Sequence, residues 1–378
     1  MPGRYGDSWK TRRDRSGDPD RAPGPIDLSR YELHPAYSGI GTFMGVPVCL
    51  TPEDLRAGEV EVAVLGAPVD CGVGHRGTSF GPRAVRTAER YLPTPAALMN
   101  HGHVRIEPFK VIKVVDYGDA AVDPFSIEAS MPTIRELVRE VAETGVVPIV
   151  LGGDHSILWP DAAAIADVYG AGKVGVVHFD AHADCSQDHM GHHVTHGTPI
   201  RRLIEDEHIP GRNFVQVGLR GYYPDNELID WMRQHDMRSH FMAEVERYGL
   251  DAVIDRAIGE ALDGPEHLYI SFDIDVLDPA YAPGTGTPEP GGFTTREMFP
   301  VVRRLCAEAH VVGFEVVEVA PGIDPAYTTA LNANRVVVEA LTGLAMRKLG
   351  LTEPHHLDPA TSGAEPFASG DGTAGSRA

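Results

Sequence analysis

Two short segments of the sequence carry closely spaced side chains of the types that bind metal ions. Asp180, His182 and Asp184 form a DxHxD pattern, and Asp273 and Asp275 form a DxD pattern. Alternate side chains of an extended segment lie on one face, so we expect the members of each pattern to converge. Converging carboxylates repel one another and resist ionising together unless a multivalent cation neutralises them. The two patterns therefore predict a metal site.

A third segment, GGDHS at 152–156, adds a histidine to the candidate ligand set. Carboxylates with a few imidazoles suit a hard-to-borderline divalent ion such as Mn²⁺. A catalytic ion must keep one position open for its substrate or water. The six candidate ligands are too many for one such ion, but they fit two ions that share carboxylates. A single Asp after an apolar run is usually a turn or helix-cap residue, but that does not explain two dense patterns. The predicted metal ligands are His155, Asp180, His182, Asp184, Asp273 and Asp275.

The elements that must position these residues are short apolar runs that alternate with helical patterns. Runs that are apolar on both faces predict strands of a parallel sheet that helices cover on two sides. Such sheets bind ligands beyond the carboxyl ends of their strands, which is where the candidate ligands fall. The predicted strands are 60–65, 109–115, 146–151, 174–179, 214–217, 268–272 and 311–319.

Composition divides the chain into a central region and two tails. Residues 1–30 are rich in Arg, Asp, Pro and Gly and predict a disordered or loosely packed arm. Residues 353–378 are rich in Gly, Ala and Ser and predict a flexible tail. No compositional break divides residues 31–352, so we expect one catalytic domain there. Its clearest helical patterns lie at about 130–145 and 335–349.

The charge balance argues against some classes of partner. Lys and Arg total 33 against 54 Asp and Glu, a formal net charge of −21, so nucleic-acid binding is not expected. A negative field favours a cationic substrate or metal ions, although acidity also maintains solubility. No uninterrupted apolar run approaches about 18 residues, and no apolar segment follows the charged N-terminus. We expect no membrane span and a cytoplasmic location.

Other catalytic motifs are incomplete. Gly152-Gly153 lacks the spacing of a phosphate-binding loop, and residues 284–287 do not form the dinucleotide-binding GxGxxG. Ser156 lies outside any GxSxG elbow, which argues against a serine hydrolase. The four cysteines include no CxxC pair, so we expect them to be reduced and structural.

A series of short motifs runs in order between about residues 38 and 348. They are GAPVD at 66–70, DYGD at 116–119, GGDHS at 152–156, HFDAHAD at 178–184, THGT at 195–198, SFDIDVLDP at 271–279, PGTGTPEPGG at 283–292 and EVAP at 318–321. Together they resemble the ureohydrolase family, which contains arginases and agmatinases. The resemblance implies a three-layer α/β/α domain with a mainly parallel eight-stranded sheet. It also implies a homo-oligomer, such as a trimer or hexamer.

The resemblance implies a cofactor and a reaction. The cofactor would be two Mn²⁺ ions per chain, with Ni²⁺ as the alternative. One ion would be bound by His155, Asp180, Asp184 and Asp273. The other would be bound by Asp180, His182, Asp273 and Asp275. The reaction would be hydrolysis of a guanidino group to urea and an amine.

Three further roles follow from the resemblance. His196 in THGT matches the family's proton-shuttle histidine, a role that suits a side chain titrating near neutral pH. Glu318 matches the carboxylate that grips the guanidinium through bidentate hydrogen bonds. Asp184 would pass a proton to the leaving amine. The alternatives are an ordinary loop histidine for His196 and a buried structural acid for Glu318.

Loops over the metal site select the substrate. HRGTSFGPRAVR at 75–86 and THGT at 195–198 resemble the agmatinase branch, so we expect agmatine, cleaved to putrescine and urea. Guanidinobutyrases, guanidinopropionases and other small-guanidine hydrolases of this branch are the alternatives. Asp225 could meet the distal ammonium of agmatine, whereas Arg76 or His192 could meet the distal carboxylate of a guanidino acid.

Two other classes of protein share parts of this pattern. A metal-dependent deacetylase has a related fold but a simpler single-metal set, and it would not need both Asp273 and Asp275. A non-catalytic paralogue usually loses ligands, and all the predicted ones are present. Urea release would exclude the first alternative, and metal content would exclude the second.

Overall fold

The computed structural model describes residues 10, 21–29, 38–71, 76–88 and 99–358. Eight strands form its centre: β1 (Val62–Ala67), β2 (Val114–Asp119), β3 (Val147–Gly152), β4 (Val174–Phe179), β5 (Phe214–Val217), β6 (Arg238–His240), β7 (His267–Asp273) and β8 (Val311–Val317). They form one sheet in the order β2-β1-β3-β8-β7-β4-β5-β6. Every neighbouring pair is parallel.

Helices cover both faces of this sheet. They are α1 (Pro52–Gly58), α2 (Gly81–Arg86), α3 (Pro108–Val111), α4 (Ile127–Ala142), α5 (Leu158–Tyr169), α6 (Pro199–Glu205), α7 (Asn226–Gln234), α8 (Met242–Tyr248), α9 (Leu250–Ala261), α10 (Thr295–Glu308) and α11 (Thr328–Lys348). Alternate strand residues face opposite layers. In β1, Val62 and Val64 belong to the core that includes α10 and α11, whereas Ala63 and Leu65 belong to the core with α4 and α5. The predicted three-layer α/β/α fold is confirmed.

The sheet differs from the prediction in three ways. It is wholly rather than mainly parallel. The polar segment Arg238–His240 forms an eighth strand at the sheet edge, where a strand pairs on one side only and needs no continuous apolar run. The predicted strand 109–115 is wrong in its first half because Pro108 opens the short helix α3. Proline is favoured at the first turn of a helix, where its missing N–H is not needed.

Two predicted helices begin earlier than expected. The start of α4 is set by Ser126, whose hydroxyl accepts a hydrogen bond from the backbone N–H of Ala129. The start of α11 is set by Asp324, whose carboxylate accepts from the backbone N–H groups of Thr329 and Ala330. Side chains of these types satisfy N–H groups that have no partner within the helix.

The predicted arm and tail are described only in part. Arg21 and the backbone N–H of Gly24 hydrogen bond to the buried carboxylate of Asp54 in α1, and a backbone bridge joins Ile26 to Val48. Residues 21–29 therefore contact the body of the protein. Most of the predicted arm, and residues 359–378 of the predicted tail, lie outside the described residues. None of the helices described is long and apolar enough to cross a membrane.

Candidate metal centre

The candidate ligands gather where four neighbouring strands end. In the sheet order β3-β8-β7-β4, these strands run into His155, Glu318, Asp273 and Asp180. All four side chains are buried. The backbone N–H of His155 donates to the carboxylate of Glu318, although the two residues are 163 positions apart. Strand order therefore brings sequence-distant side chains into one place, as the rule for parallel sheets predicts.

Turns, rather than strand alternation, make the two acidic patterns converge. Asp180 follows the last residue of β4, and its Oδ1 accepts a hydrogen bond from the backbone N–H of His182 at 2.6 Å. Asp273 ends β7 and accepts from the backbone N–H of Asp275, which lies in a short 3-10 turn. The expected extended geometry is wrong because Asp side chains accept hydrogen bonds from their own chain two residues on.

The first ligand group surrounds Nδ1 of His155. This nitrogen lies 3.2 Å from Oδ2 of Asp180, 3.0 Å from Oδ2 of Asp184 and 3.0 Å from Oδ2 of Asp273. Among the described residues, neither His155 Nδ1 nor Asp180 Oδ2 has a hydrogen-bond partner, although both are buried. Buried polar atoms are costly unless they are satisfied. A cation held among these four atoms would satisfy them.

The second ligand group shares a residue with the first. Nδ1 of His182 lies 3.5 Å from Oδ1 of Asp180 and 3.0 Å from Oδ2 of Asp275. Asp180 thus presents one oxygen to each group. Asp273 belongs to the first group but not to the second.

The charges of the cluster are unbalanced. Burial, followed by the charges of Asp275 and Asp180, raises the pKa of Asp273 well above its usual value. Burial would also raise the pKa of Asp180, but the neighbouring imidazoles of His155, His178 and His182 outweigh it, and that pKa is well below the usual value. Carboxylates held together against their own repulsion, with imidazole nitrogens aimed between them, form a donor set that fits divalent cations.

His196 and Glu318 form a second feature beside the ligand groups. Nδ1 of His196 lies 3.5 Å from Oε1 of Glu318. Burial opposes protonation of His196, but the hydrogen bond and charge of Glu318, helped by Asp184, raise its pKa to about 9. Both Asp184 (φ 44°) and Glu318 (φ 64°) have left-handed backbone. Such conformations are uncommon without glycine and cluster at functional sites.

A cavity of about 820 Å³ opens onto the cluster. Asp184, Asp273, His182 and His196 line it, so both ligand groups and the predicted shuttle histidine are accessible from one space. Glu318 is buried and is not among the residues that line the cavity. Its carboxylate contacts His196, which does line the cavity.

The predicted substrate-binding residues do not all reach this cavity. Arg76 and His192 line it. Asp225 does not, because its carboxylate caps α7 and accepts a hydrogen bond from the backbone N–H of Leu228 at 2.9 Å. A role of Asp225 in substrate binding stays a prediction. Glu128 and Asp188, which had not been considered, are acidic residues that do line the cavity.

Two buried residues beside the cluster were missed by sequence reasoning. His178 places Nε2 3.1 Å from Oδ2 of Asp180 and stacks on the His155 ring. Its position two residues before Asp180, in the same apolar run, was a usable signal. Ser271 Oγ lies 2.9 Å from Nε2 of His155. Ser271 likewise stands two residues before a candidate ligand, Asp273, within the motif SFDIDVLDP.

The fold and the site define a class: an α/β protein whose sheet presents metal-binding His/Asp clusters to an open cavity. Within that class, the sequence matches the model of the arginase family over residues 60–343. It is 37% identical over 329 residues to guanidinopropionase of Pseudomonas aeruginosa, covering 85% of this chain and 96% of that protein. It is 36% identical over 321 residues to mitochondrial agmatinase of Gallus gallus, covering 83% and 90%.

The solved structures agree with the sequence relatives. Proclavaminate amidinohydrolase from Streptomyces clavuligerus superposes with a TM-score of 0.73 at 32% identity, covering 83% of this chain and all of that one. The chain belongs to the arginase family, and the resemblance to ureohydrolases is confirmed. It is a guanidino hydrolase, an enzyme of the amidinohydrolase type. The family uses a binuclear metal centre.

Proposed function

We propose that this amidinohydrolase binds two Mn²⁺ ions and hydrolyses agmatine to putrescine and urea. The observation that carries the two-ion part is Asp180, whose Oδ2 joins the first ligand group and whose Oδ1 joins the second. A carboxylate shared in this way suits two ions roughly 3.5–4 Å apart. Carboxylates dominate the donor set, which favours Mn²⁺ over the alternative, Ni²⁺.

The proposed ligands follow the two groups. The first ion would be held by His155, Asp180, Asp184 and Asp273. The second would be held by Asp180, His182 and Asp275, with Asp273 as a further bridging ligand that the family resemblance suggests. When bound, such a pair lowers the pKa of water and supplies a nucleophile at neutral pH.

The protein's own side chains would bind the guanidinium and move protons. The carboxylate of Glu318 would bind the planar guanidinium of the substrate. The guanidinium would displace the His196 imidazole, which lies beside Oε1 of Glu318. Asp184, on the cavity wall, would pass a proton to the leaving amine. His196 lines the same cavity and can exchange protons between that amine and solvent.

Agmatine is the proposed substrate because its distal ammonium has acidic partners in the cavity. Glu128, at the start of α4, and Asp188 both line it. Asp225, the partner expected from the sequence, caps α7 and is not among the lining residues. A protein of net charge −21 also attracts a doubly cationic substrate.

A guanidino acid is the second candidate, and Arg76 is the observation that favours it. Arg76 lines the cavity, and its Nη1 donates to the backbone carbonyl of Asp70 at 2.8 Å, which anchors the guanidinium. Its remaining N–H groups can meet a carboxylate, and His192 lines the same cavity. The similarity to guanidinopropionase suggests the same substrate class.

Urea release from a panel of substrates tests both candidates. The metal-free protein is loaded with Mn²⁺, or separately with Ni²⁺, and given agmatine, 4-guanidinobutyrate, 3-guanidinopropionate, arginine and guanidine at equal concentration. Agmatine as the best substrate supports the proposal, and a guanidino acid as the best one selects the second candidate. No urea from any of them, with two ions bound per chain, would contradict both. The chelated protein is the control for metal dependence.

Further parts of the proposal concern the whole chain. We propose a cytoplasmic homo-oligomer, a trimer or hexamer, that binds no nucleic acid. The domain is proposed to span residues 31–352, which agrees with the single sheet that all eight strands form. Light scattering at several protein concentrations measures the oligomer size.

A further inference from the structure

A buried arginine behind the second ligand group donates its hydrogen bonds to backbone carbonyls. Arg220 lies just after β5, and its side chain is buried. Its Nη2 donates to the carbonyl of Asp275 at 2.6 Å and to that of Glu289 at 2.7 Å. Longer hydrogen bonds, of 3.2 or 3.3 Å, reach the carbonyls of Gly218, Val276, Leu277 and Pro290. The proposed reaction gives this buried cation no role.

The carbonyls that Arg220 binds belong to three separate segments. They are the end of β5, the turn that follows β7 and the loop at 284–292. The turn contains Asp275, and the loop contains Thr287, which lines the cavity and whose hydroxyl donates to Oδ2 of Asp275 at 3.4 Å. A guanidinium carries five N–H donors in one rigid plane. It therefore holds the three segments in a fixed arrangement.

The backbone of Arg220 contacts the other segment that carries a ligand of the second group. Its N–H donates to the carbonyl of Ala181 at 3.2 Å, and Ala181 lies between Asp180 and His182. The N–H of Ala181 donates in turn to Oδ1 of Asp275 at 3.2 Å. Arg220 thus joins the turn that carries His182 to the turn that carries Asp275.

The first ligand group has no comparable connection. Among the hydrogen bonds of the described residues, none joins Arg220 to His155 or to Asp184, the two ligands that belong to the first group alone. Removal of the guanidinium should therefore disturb the second ion site more than the first.

Gly292 leaves the space that the guanidinium occupies. A Cβ added at this position would lie 2.6 Å from Nη2 of Arg220 and 2.6 Å from the backbone nitrogen of Asp278. Neither contact is possible without a shift, so glycine allows the loop to approach the guanidinium closely. The loop is thus shaped around Arg220.

We propose that Arg220 is a positioning residue that sets the separation of His182 and Asp275 and so prepares the second ion site before metal binds. This inference rests on the proposed two-ion function and extends it to a residue outside the ligand set. Without an ion, the carboxylates of Asp180 and Asp275 repel each other, and the hydrogen bonds of the guanidinium keep their turns from moving apart. Ligands that are already in place lose less conformational freedom when the ion binds.

Stepwise Mn²⁺ affinity of the full chain, measured with a competing chelator, tests the proposal. Arg220→Lys keeps the charge but loses the planar fork. We expect the second Mn²⁺ to bind about 10-fold more weakly or worse, the scale for residues that orient a ligand, and the first to keep nearly its wild-type affinity. Electron paramagnetic resonance should show isolated Mn²⁺ in the variant at concentrations where wild type shows a coupled pair.

Arg304→Lys is the matched control. Arg304 is as buried as Arg220, but its guanidinium binds Asp255 and Glu308, on α9 and α10. This variant should keep the wild-type affinity for both ions. Wild-type affinity for both ions in Arg220→Lys, or equal losses for the two ions, would overturn the proposal.

Hydrogen exchange of the wild-type protein needs no variant and decides the question if Arg220→Lys does not fold. Peptides that cover residues 274–292 should be protected from exchange in the metal-free protein nearly as well as in the Mn²⁺-loaded one. Protection that depends on Mn²⁺ would overturn the proposal, because the ion would then order the turns. Wild type that binds fewer than two ions contradicts the proposed function, whereas wild type with two ions and an unaffected Arg220→Lys contradicts only this inference.

Discussion

Nδ1 of His196 lies 3.5 Å from Oε1 of Glu318. The predicted shuttle histidine therefore contacts the carboxylate that is predicted to bind the guanidinium of the substrate. The pKa of His196 is raised to about 9, so at neutral pH the imidazole is cationic and competes with a guanidinium for Glu318. The free enzyme therefore carries a substitute for its own substrate cation.

The first prediction concerns pH and substrate affinity. As pH rises from 7 through about 9, His196 loses its charge and should release Glu318, so KM for a guanidino substrate should fall. His196→Gln has no titrating group there, and its KM should change much less over the same range. The ratio of the two KM values against pH removes effects that both proteins share. A constant ratio would contradict competition at Glu318.

The same pair makes a prediction about stability. The folded-state pKa of His196 exceeds the usual 6.5, so the charged pair stabilises the fold fully below about 6.5 and loses this effect as pH rises through about 9. The difference in free energy of unfolding between wild type and His196→Gln should therefore shrink between pH 6.5 and pH 9.5. Urea denaturation of the metal-free proteins at the two pH values measures it.

Asp180→Asn tests the shared carboxylate. Because Asp180 faces both ligand groups, the loss of its carboxylate should weaken the binding of both ions and abolish turnover. Elemental analysis should find fewer than two ions per chain after reconstitution, together with no urea release. Asp230→Asn, an exposed carboxylate of α7, serves as the control. Near-normal activity in Asp180→Asn would contradict the two-metal proposal.

Asp273→Asn should affect the metal-free and metal-bound proteins in opposite directions. The raised pKa of Asp273 means that its charge is disfavoured in the metal-free fold, so its contribution falls as pH rises, and a neutral amide should stabilise that form at pH 7. At a Mn²⁺ concentration of about 100 times Kd, wild type should gain about 2.7 kcal/mol of unfolding free energy. A variant that binds about 100-fold more weakly would gain about 0.4 kcal/mol. Thermal melts with and without Mn²⁺ measure both effects.

Charge in the cavity should decide the substrate. If agmatine binds as proposed, Glu128→Gln or Asp188→Asn should lower kcat/KM for agmatine by roughly 10-fold, the scale of one lost ionic hydrogen bond, and leave 4-guanidinobutyrate less affected. Arg76→Gln should show the reverse preference if a guanidino acid is the substrate. If the variants lower kcat/KM equally for both substrates, neither the acidic residues nor Arg76 selects between agmatine and 4-guanidinobutyrate.

Asp225 should matter for stability and not for substrate choice. It is the N-cap of α7, so Asp225→Ala should lower the free energy of unfolding by about 1 kcal/mol. Asp225→Ser keeps a capping oxygen and should recover most of that loss. The ratio of kcat/KM for agmatine to that for 4-guanidinobutyrate should match wild type in both variants. A changed ratio would return Asp225 to the substrate site.

The apolar runs and the ligand motifs could be read from the sequence because each has a local signal. The runs at β3, β4, β7 and β8 are apolar on both faces, and acidic or imidazole residues directly follow them. The rule that parallel strands bind ligands at their carboxyl ends then located the site.

What the sequence did not reveal depends on contacts between distant segments. Asp225 carries the negative charge expected of a partner for the agmatine ammonium. Only the fold shows that its carboxylate caps α7. The edge strand β6 has no apolar run because it is paired on one side.

The strand order also determines when the site can come into existence. The last strand in the sequence, β8, lies between β3 and β7, and it leads directly to Glu318. A chain emerging from the ribosome therefore has β3, β4 and β7 well before it has the strand that joins them at the centre of the sheet. Non-local pairing of this kind forms slowly and late. Capture of metal should accordingly report completed folding, and a chain that stops before residue 311 should be unable to assemble the joined centre.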